Sequence, residues 1–122
     1  MVVRIKTKNR YQGTATPSTL NEEVDVINLG DQDDDYIAEG FIDLSQLEGE
    51  DKVVIKVYVA VDGANRKVSD YKELSGAQGV PVIRFPACTI HYNGKLRVTI
   101  TQTAGTLRSF PYSFIVQIME EI

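Results

Sequence analysis

The chain has 122 residues, of which 43% are hydrophobic and 25% are charged, and its formal net charge is −4. This length fits one domain that buries about two-thirds of its unfolded surface, and the composition excludes a disordered chain. Cys88 is the single cysteine, which excludes an internal disulfide and favours a reducing compartment such as the cytoplasm. No apolar run is long enough to cross a membrane, and residues 1–6 lack the pattern of a signal peptide.

Alternating apolar and polar residues in the first third of the chain predict three short strands, at residues 2–7, 23–29 and 35–44. Between the first two, residues 8–20 are rich in Thr, Ser, Gly and Pro, which predicts a long loop or extended arm. Gly40 lies inside the third strand and marks a bulge or a close approach of the backbone.

The alternation of apolar and polar residues is strongest in the middle of the chain. Residues 52–62 place Val and Ile at every second position, which predicts a central strand. Asp62-Gly63 predicts a turn into a strand at residues 68–74, so that the two strands form a hairpin. Residues 80–85 lie between Pro81 and Pro86 and predict a short edge strand, because proline cannot donate a hydrogen bond to a neighbouring strand.

The last third begins with the strongest local turn signal. Asn93-Gly94 predicts a type I′ hairpin turn that joins a short strand at residues 89–92 to one at residues 96–102. The final strand, at residues 109–119, has an aromatic-rich face that we expect in the core.

Eight or nine short strands without a long helix predict an all-β fold, a two-sheet antiparallel β-sandwich or jelly roll. The chain forms a single domain overall in this prediction. Within it, we expect a basic N-terminal strand and extended arm over residues 1–21 and the β-sandwich over residues 22–122.

Charge is divided into three blocks. Residues 1–21 carry four bases and no acid, residues 22–51 carry twelve acids and no base, and residues 52–122 carry nine bases and five acids. Two interpretations are open. Either the blocks create a field that orients the protein against partners, or folding interleaves them and cancels most of the field.

The first block contains the candidate interface residues Arg4, Lys6, Lys8, Arg10 and Tyr11. If this segment is a strand, the four bases have even numbers and fall on one face. They then form either a basic arm for a partner or a polar edge strand whose lysines prevent sheet-to-sheet aggregation. The acidic net charge disfavours nucleic acid as that partner.

Asp31, Asp33 and Asp35 are the candidate metal ligands, since hard cations such as calcium bind several carboxylate oxygens. Their spacing matches the first three ligand positions of a helix-loop-helix calcium loop. Tyr36 then stands where the loop needs glycine, and Ile42 stands where it needs a bidentate glutamate. The alternative is a solvated acidic turn.

The sequence predicts no enzyme and no cofactor. Cys88 and His91 form a Cys-x-x-His pair, which supplies too few ligands for a structural zinc and, on a strand, would face opposite sides. No phosphate-binding loop, nucleophile elbow or dinucleotide glycine motif is present. Carbohydrate binding would need exposed aromatic platforms, for which the candidates are Tyr11, Tyr36, Tyr71 and Tyr92.

The segments 53–63 (VVIKVYVAVDG), 75–81 (SGAQGVP) and 95–115 (KLRVTITQTAGTLRSFPYSFI) carry a resemblance that covers about residues 36–119. They resemble small β proteins found among the structural genes of tailed viruses of bacteria and archaea. The resemblance implies a virion component, such as a capsid decoration or auxiliary protein, and transfers no site residues.

The sequence therefore leads to the hypothesis of a non-enzymatic structural or assembly protein located in a virion. Its partners would be other protein subunits, in a homo-oligomer or a capsid lattice, with no membrane. Removal of residues 1–21 would then abolish assembly and leave the fold intact. The alternative is a soluble module that binds carbohydrate or protein.

Overall fold

A computed structural model describes residues 2–122 of the chain, which form eight strands. They are β1 (Val3–Ala15), β2 (Glu23–Asn28), β3 (Tyr36–Asp43), β4 (Lys52–Val59), β5 (Lys67–Ser75), β6 (Val82–Ile90), β7 (Arg97–Ala104) and β8 (Phe110–Glu121). No helix in the described part of the chain has the length and hydrophobicity to cross a membrane.

The strands form two four-stranded antiparallel sheets. The first sheet has the order β1-β8-β3-β6, and the second sheet has the order β2-β7-β4-β5. This order is that of a jelly roll, in which nearly every connection crosses from one sheet to the other. The predicted all-β sandwich is confirmed, and the predicted hairpin between β4 and β5 is present.

Alternate side chains of both sheets point inward and form one core. On β4 and β7 these inward side chains are the predicted aliphatic residues, and on β8 they are the predicted aromatic and aliphatic residues. The largest completely buried side chains include Tyr36, Phe110, Phe114, Leu96 and Ile100. The hydroxyl group of Tyr36 accepts a hydrogen bond from the backbone N–H of Leu96 at 3.3 Å, which links the first sheet to the start of β7.

The predicted hairpin at Asn93-Gly94 is wrong. A turn is present, in which the N–H of Gly94 donates to the carbonyl of His91 at 2.8 Å, but β6 and β7 belong to different sheets. The positive φ lies at Lys95 (49°) and at neither residue of the Asn-Gly pair, so the turn is not type I′. Local turn chemistry favoured a reversal of the chain, whereas pairing with β3 determines where β6 lies.

Two strands extend far into segments that the sequence does not predict as strand. β1 continues to Ala15 through the segment predicted as a loop, because β8 offers it a pairing partner along its length. β6 continues through Pro86 to Ile90 and so joins two segments that the sequence separates. It does so as an edge strand, as predicted, where the missing N–H of a proline can be tolerated.

Each of the four edge strands contains one extra residue relative to its partner. The bulges lie near Lys6 in β1, Val26 in β2, Ser69 in β5 and Pro86 in β6. A bulge twists an edge and interrupts its row of free hydrogen-bonding groups, which discourages pairing with another chain. The fold therefore protects every open edge by the same device.

At Gly40 of β3 the backbone closely approaches the core. A Cβ atom at this position would lie 2.5 Å from the ring of Phe114 and 2.5 Å from the carbonyl oxygen of Ser113. The register shift between Ala38 and Gly40 places a bulge beside it. Of the two alternatives predicted at Gly40, the close approach is confirmed, whereas the extra residue of the bulge lies in β6 and not in β3.

We expect Gly40→Ala to lower the free energy of unfolding by about 1–3 kcal/mol, because the added methyl group overpacks the core. Urea unfolding followed by circular dichroism measures this change. The control is Gly30→Ala, where nothing lies within 4 Å of the added Cβ atom. Equal stability of the two variants would contradict the close approach.

One buried carboxylate joins two loops that cross between the sheets. Asp51 is 2% exposed and accepts hydrogen bonds from the N–H of Glu48 at 3.0 Å and the N–H of Thr106 at 2.9 Å. The Nε of Arg108 donates to the same carboxylate at 2.7 Å. Burial works to raise the pKa of Asp51, but these three donors outweigh it and lower the pKa below its ordinary value.

Asp51→Asn should lower the free energy of unfolding by about 2 kcal/mol at neutral pH, since hydrogen bonds to a charge are lost. Because the pKa of Asp51 is lowered in the folded state, its contribution is complete above the unfolded pKa and disappears as the pH falls through the folded pKa. Urea unfolding from about pH 7 to about pH 2 should therefore show that the difference in free energy of unfolding between wild type and variant disappears below about pH 4. Exposed Glu50→Gln serves as the control. A difference in free energy that does not depend on pH would contradict this role of Asp51.

Candidate interaction surfaces

The basic residues of β1 do not share one face. Ile5 pairs with Met119 and Thr7 pairs with Ile118, so Lys6 is the extra residue of a bulge. Arg4 consequently lies on the face opposite to that of Lys8 and Arg10. The expectation from even numbering is wrong because the bulge shifts the alternation by one residue.

The five candidate interface residues therefore have different surroundings. The Nε of Arg4 lies 2.7 Å from a carboxylate oxygen of Glu120 on the neighbouring strand. Tyr11 is half-buried and packs against the core. Lys8 and Arg10 are exposed and lie on the outer face of the first sheet, which leaves these two available to a partner.

The three candidate metal ligands contact different protein groups. The Nζ of Lys95 lies 2.8 Å from Asp31, and the Nζ of Lys6 lies 3.8 Å from Asp33. Asp35 accepts a hydrogen bond from the backbone N–H of Tyr92 at 2.8 Å. Within residues 2–122, no three acidic, histidine or cysteine side chains are grouped as a metal site requires.

Folding interleaves the charge blocks. Asp31 and Asp33 pair with Lys95 and Lys6, as described above, and two more acids of residues 22–51 also pair with bases from later in the chain. Arg97 lies 2.7 Å from Asp25, and Arg108 lies 2.7 Å from Asp51. The central acidic block is thus partly neutralised by the two basic blocks, which favours the second of the two interpretations left open by the sequence.

The outer face of the first sheet combines apolar and basic side chains. Phe41 of β3 is 50% exposed, and Arg84 of β6 pairs with it across the strands. Ile115 of β8 stands in the same row as Arg10 of β1. The cations Lys8, Arg10 and Arg84 have no carboxylate within 4.0 Å among the described residues. Arg84 is the cation next to the Phe41 ring, and Glu39 lies on the same face in the row of Arg10 and Ile115. The face therefore combines an exposed aromatic ring with charged groups, as protein–protein interfaces do.

The outer face of the second sheet carries a hydrogen-bonded polar network. Glu23 accepts hydrogen bonds from the hydroxyl groups of Tyr58 at 2.5 Å and Thr99 at 2.7 Å. Burial works to raise the pKa of Glu23, but these hydrogen bonds and the nearby charge of Arg97 outweigh it and lower the pKa. The hydrogen bond to Glu23 raises the pKa of Tyr58, and the guanidinium carbon of Arg97 lies 5.2 Å from the centre of its ring. This network fixes the orientation of the Tyr58 ring.

Tyr71 is the most exposed tyrosine on this face. Its side chain is 55% exposed, and it pairs with Lys56 of the central strand β4. The prediction of Tyr36 as an exposed platform is wrong, because this side chain is completely buried. Tyr92, another candidate, is 44% exposed and lies in the loop after β6. Tyr58 was missed as a candidate, although its place beside inward-facing valines in the sequence puts it on the outer face.

Cys88 and His91 line one cavity of about 600 Å³ together with Asp62. The Nδ1 of His91 lies 2.8 Å from the side-chain oxygen of Asn93, and no hydrogen bond joins His91 to Cys88 within residues 2–122. Asp62 accepts hydrogen bonds from the N–H groups of Asn65 and Ala64, which hold its pKa down at about 2. Cys88 and His91 therefore line the same cavity without a hydrogen bond between them in the described part of the chain.

No family model matches the chain, and no curated protein is similar to it in sequence. A solved structure of infectious bursal disease virus strain Gx is 12% identical and aligns over 95% of this chain and 32% of the viral chain, with a TM-score of 0.50. The VP2 subviral particle of the same virus is 12% identical, over 95% of this chain and 33% of that chain, with a TM-score of 0.49. A xylan-binding module, CBM15, is 15% identical over 96% of both chains, with a TM-score of 0.40.

The likeness to the strain Gx structure concerns the fold alone, because the sequence identity is so low. The chain spans about a third of the length of the viral chains that it resembles. The jelly-roll sandwich is therefore shared with a viral protein, whereas the resemblance to proteins of tailed viruses stays a prediction.

Proposed function

We propose that this protein is a non-enzymatic structural subunit of a virus particle, a decoration or auxiliary protein that acts through protein–protein contacts. The observation that supports this most is the jelly-roll strand order, which aligns over 95% of the chain with a chain of a virus structure. The similar VP2 protein forms a subviral particle. Jelly rolls serve many functions, so the fold is only a starting point.

The outer face of the first sheet is the surface that we assign to assembly. Arg84 lies beside the exposed ring of Phe41, and Lys8 and Arg10 lie on β1 at the far edge of the same face. Charged groups around an apolar centre direct association and set its dependence on salt. A partner with an acidic, apolar surface, either a second copy or a capsid subunit, complements this face.

Removing residues 1–21 is a poor test of this proposal. β1 pairs with β8 along its length, from Val3 with Glu121 to Ala15 with Phe110. The deletion would leave β8 without a partner on that side, so a loss of assembly would also follow from a loss of the fold. Reversing two exposed charges leaves the strand in place.

We expect the purified protein to form a fixed multimer whose mass, measured by light scattering, falls as salt is added. The double variant Lys8→Glu/Arg10→Glu should remain a monomer at concentrations at which the wild type assembles. The control Lys52→Glu/Lys67→Glu makes the same change in net charge at exposed positions elsewhere and should assemble as the wild type does. A monomeric wild type at every concentration and salt, or equal behaviour of both double variants, would contradict self-assembly through this face.

A second candidate function, carbohydrate binding, is favoured by the outer face of the second sheet. Tyr71 exposes its ring beside Lys56, and Glu23 and Arg97 are held in fixed positions nearby in the sheet. Sugar rings stack on exposed aromatic side chains and form hydrogen bonds with fixed polar groups.

For this candidate, Tyr71→Ala should weaken the binding of a soluble polysaccharide by about tenfold, which corresponds to about 1.4 kcal/mol. Retardation in native gels cast with xylan or other soluble glycans measures the affinity. Tyr92→Ala, which removes an exposed tyrosine from a loop, should leave the retardation unchanged. Wild-type protein that migrates equally with and without each glycan would exclude this function for the glycans tested.

A further inference from the structure

Four loops close one end of the sandwich, and each joins a strand of the first sheet to the strand that faces it in the second sheet. In their order across this end, they comprise residues 16–22, 105–109, 44–51 and 76–81. We call them together the four-loop surface.

Hydrogen bonds join each loop of this surface to the next. The hydroxyl oxygens of Thr16 and Ser109 lie 3.4 Å apart, and the N–H of Ser109 donates to the side-chain oxygen of Gln46 at 3.0 Å. The N–H of Leu44 donates to the carbonyl of Pro81 at 2.8 Å. Because the loops already hold one another in place, little conformational freedom is lost when a partner binds.

The four-loop surface is acidic. Its exposed charged side chains all carry negative charge, and they are Glu22, Glu48 and Glu50. The one base in these loops, Arg108, is bound to the buried carboxylate of Asp51. At the adjoining strand ends, Asp43 and Lys52 carry opposite charges, so the excess of negative charge remains.

Exposed aliphatic side chains accompany these acids. Leu20 and Leu107 lie in adjacent loops, and Val80 lies in the loop at the far side. Apolar side chains next to charged ones on a surface of fixed shape are typical of sites that bind another protein.

The protein itself carries a surface of the opposite charge. On the β1–β8 half of the outer face of the first sheet, Lys8 and Arg10 are exposed, and Ile115 stands beside Arg10. None of the β8 residues that pair with residues 8–14 is acidic. The nearest acid of this face in the row of Arg10 is Glu39, on the next strand β3.

We propose that the four-loop surface of one copy binds the β1–β8 half of the outer face of a second copy. Its acids lie against Lys8 and Arg10, and its leucines lie against Ile115. This contact rests on the assembly function proposed above, and it identifies the acidic, apolar surface that complements the outer face.

The two surfaces in this contact are different parts of the molecule, so the contact is heterologous. Each copy offers one surface of each kind and can bind two neighbours. A contact of this type closes into a ring when the rotation between neighbours allows it, which gives a multimer of fixed size.

Glu48→Lys/Glu50→Lys should raise the concentration needed for assembly at least about tenfold, because like charges then meet across the contact. Light scattering measures this concentration. The substitutions preserve the hydrogen bonds of Glu48, which are made by its backbone. The control Asp70→Lys/Glu73→Lys makes the same change in net charge at exposed positions of β5, outside both surfaces, and should assemble as the wild type does.

The variant Lys8→Glu/Arg10→Glu/Glu48→Lys/Glu50→Lys exchanges the charges of the two surfaces and keeps the net charge of the wild type. It should assemble at the concentration of the wild type, because opposite charges meet again. This recovery would also demonstrate that the variants fold.

Failure of the exchanged variant to assemble, although folded by circular dichroism, would overturn this contact. So would normal assembly of Glu48→Lys/Glu50→Lys while Lys8→Glu/Arg10→Glu stays monomeric, a result that leaves assembly through the outer face intact. A wild type that is monomeric at every concentration and salt would contradict both this contact and self-assembly.

Discussion

The insertion of β8 between β1 and β3 is the constraint on which the rest of the structure depends. Phe114 of β8 pairs with Tyr11 on one side and Gly40 on the other, which joins the two ends of the chain to its middle. The second sheet repeats this arrangement, with β7 between β2 and β4. Neither sheet is complete until strands from the last third of the chain are in place. Pairings over such sequence separations form slowly, because each closes a long loop.

Much of the fold could be predicted because the alternation of apolar and polar residues along a strand is a local property of the sequence. The inward positions of β4, β7 and β8 follow directly from alternation of their apolar residues, and Gly40 was recognised as a point of close approach. The partner of each strand is not local, so Asn93-Gly94 indicated a hairpin where the chain in fact crosses between sheets. The bulge at Lys6 has no signal in the sequence, and it alone places Arg4 and Lys8 on opposite faces of the sheet.

The surfaces were predictable to a smaller extent. Arg4 and Lys6 fall in a predicted strand, whereas Lys8 and Arg10 fall in a segment that was predicted as a loop and is part of β1. The segment with Asp31 and Asp33 was predicted to be either a metal site or a solvated acidic turn. Their ion pairs depend on folding, which brings Lys95 and Lys6 to these acids. A cleft of about 380 Å³ between the edge strands β5 and β6 was not predictable, because it depends on which strands lie at the sheet edges and on the inward position of Lys72. That position is clear only when the register with β4 is known.

The bulges on all four edge strands affect whether molecules of this protein can join edge to edge into fibres. A jelly roll has two open sheets, and at the high local concentration of an assembling particle an unprotected edge would extend into a continuous sheet across molecules. Such growth has no natural end and is difficult to reverse. With each edge interrupted, association is left to the faces and loops, where contacts are specific and break one at a time. We therefore expect the protein to withstand concentration without forming fibres.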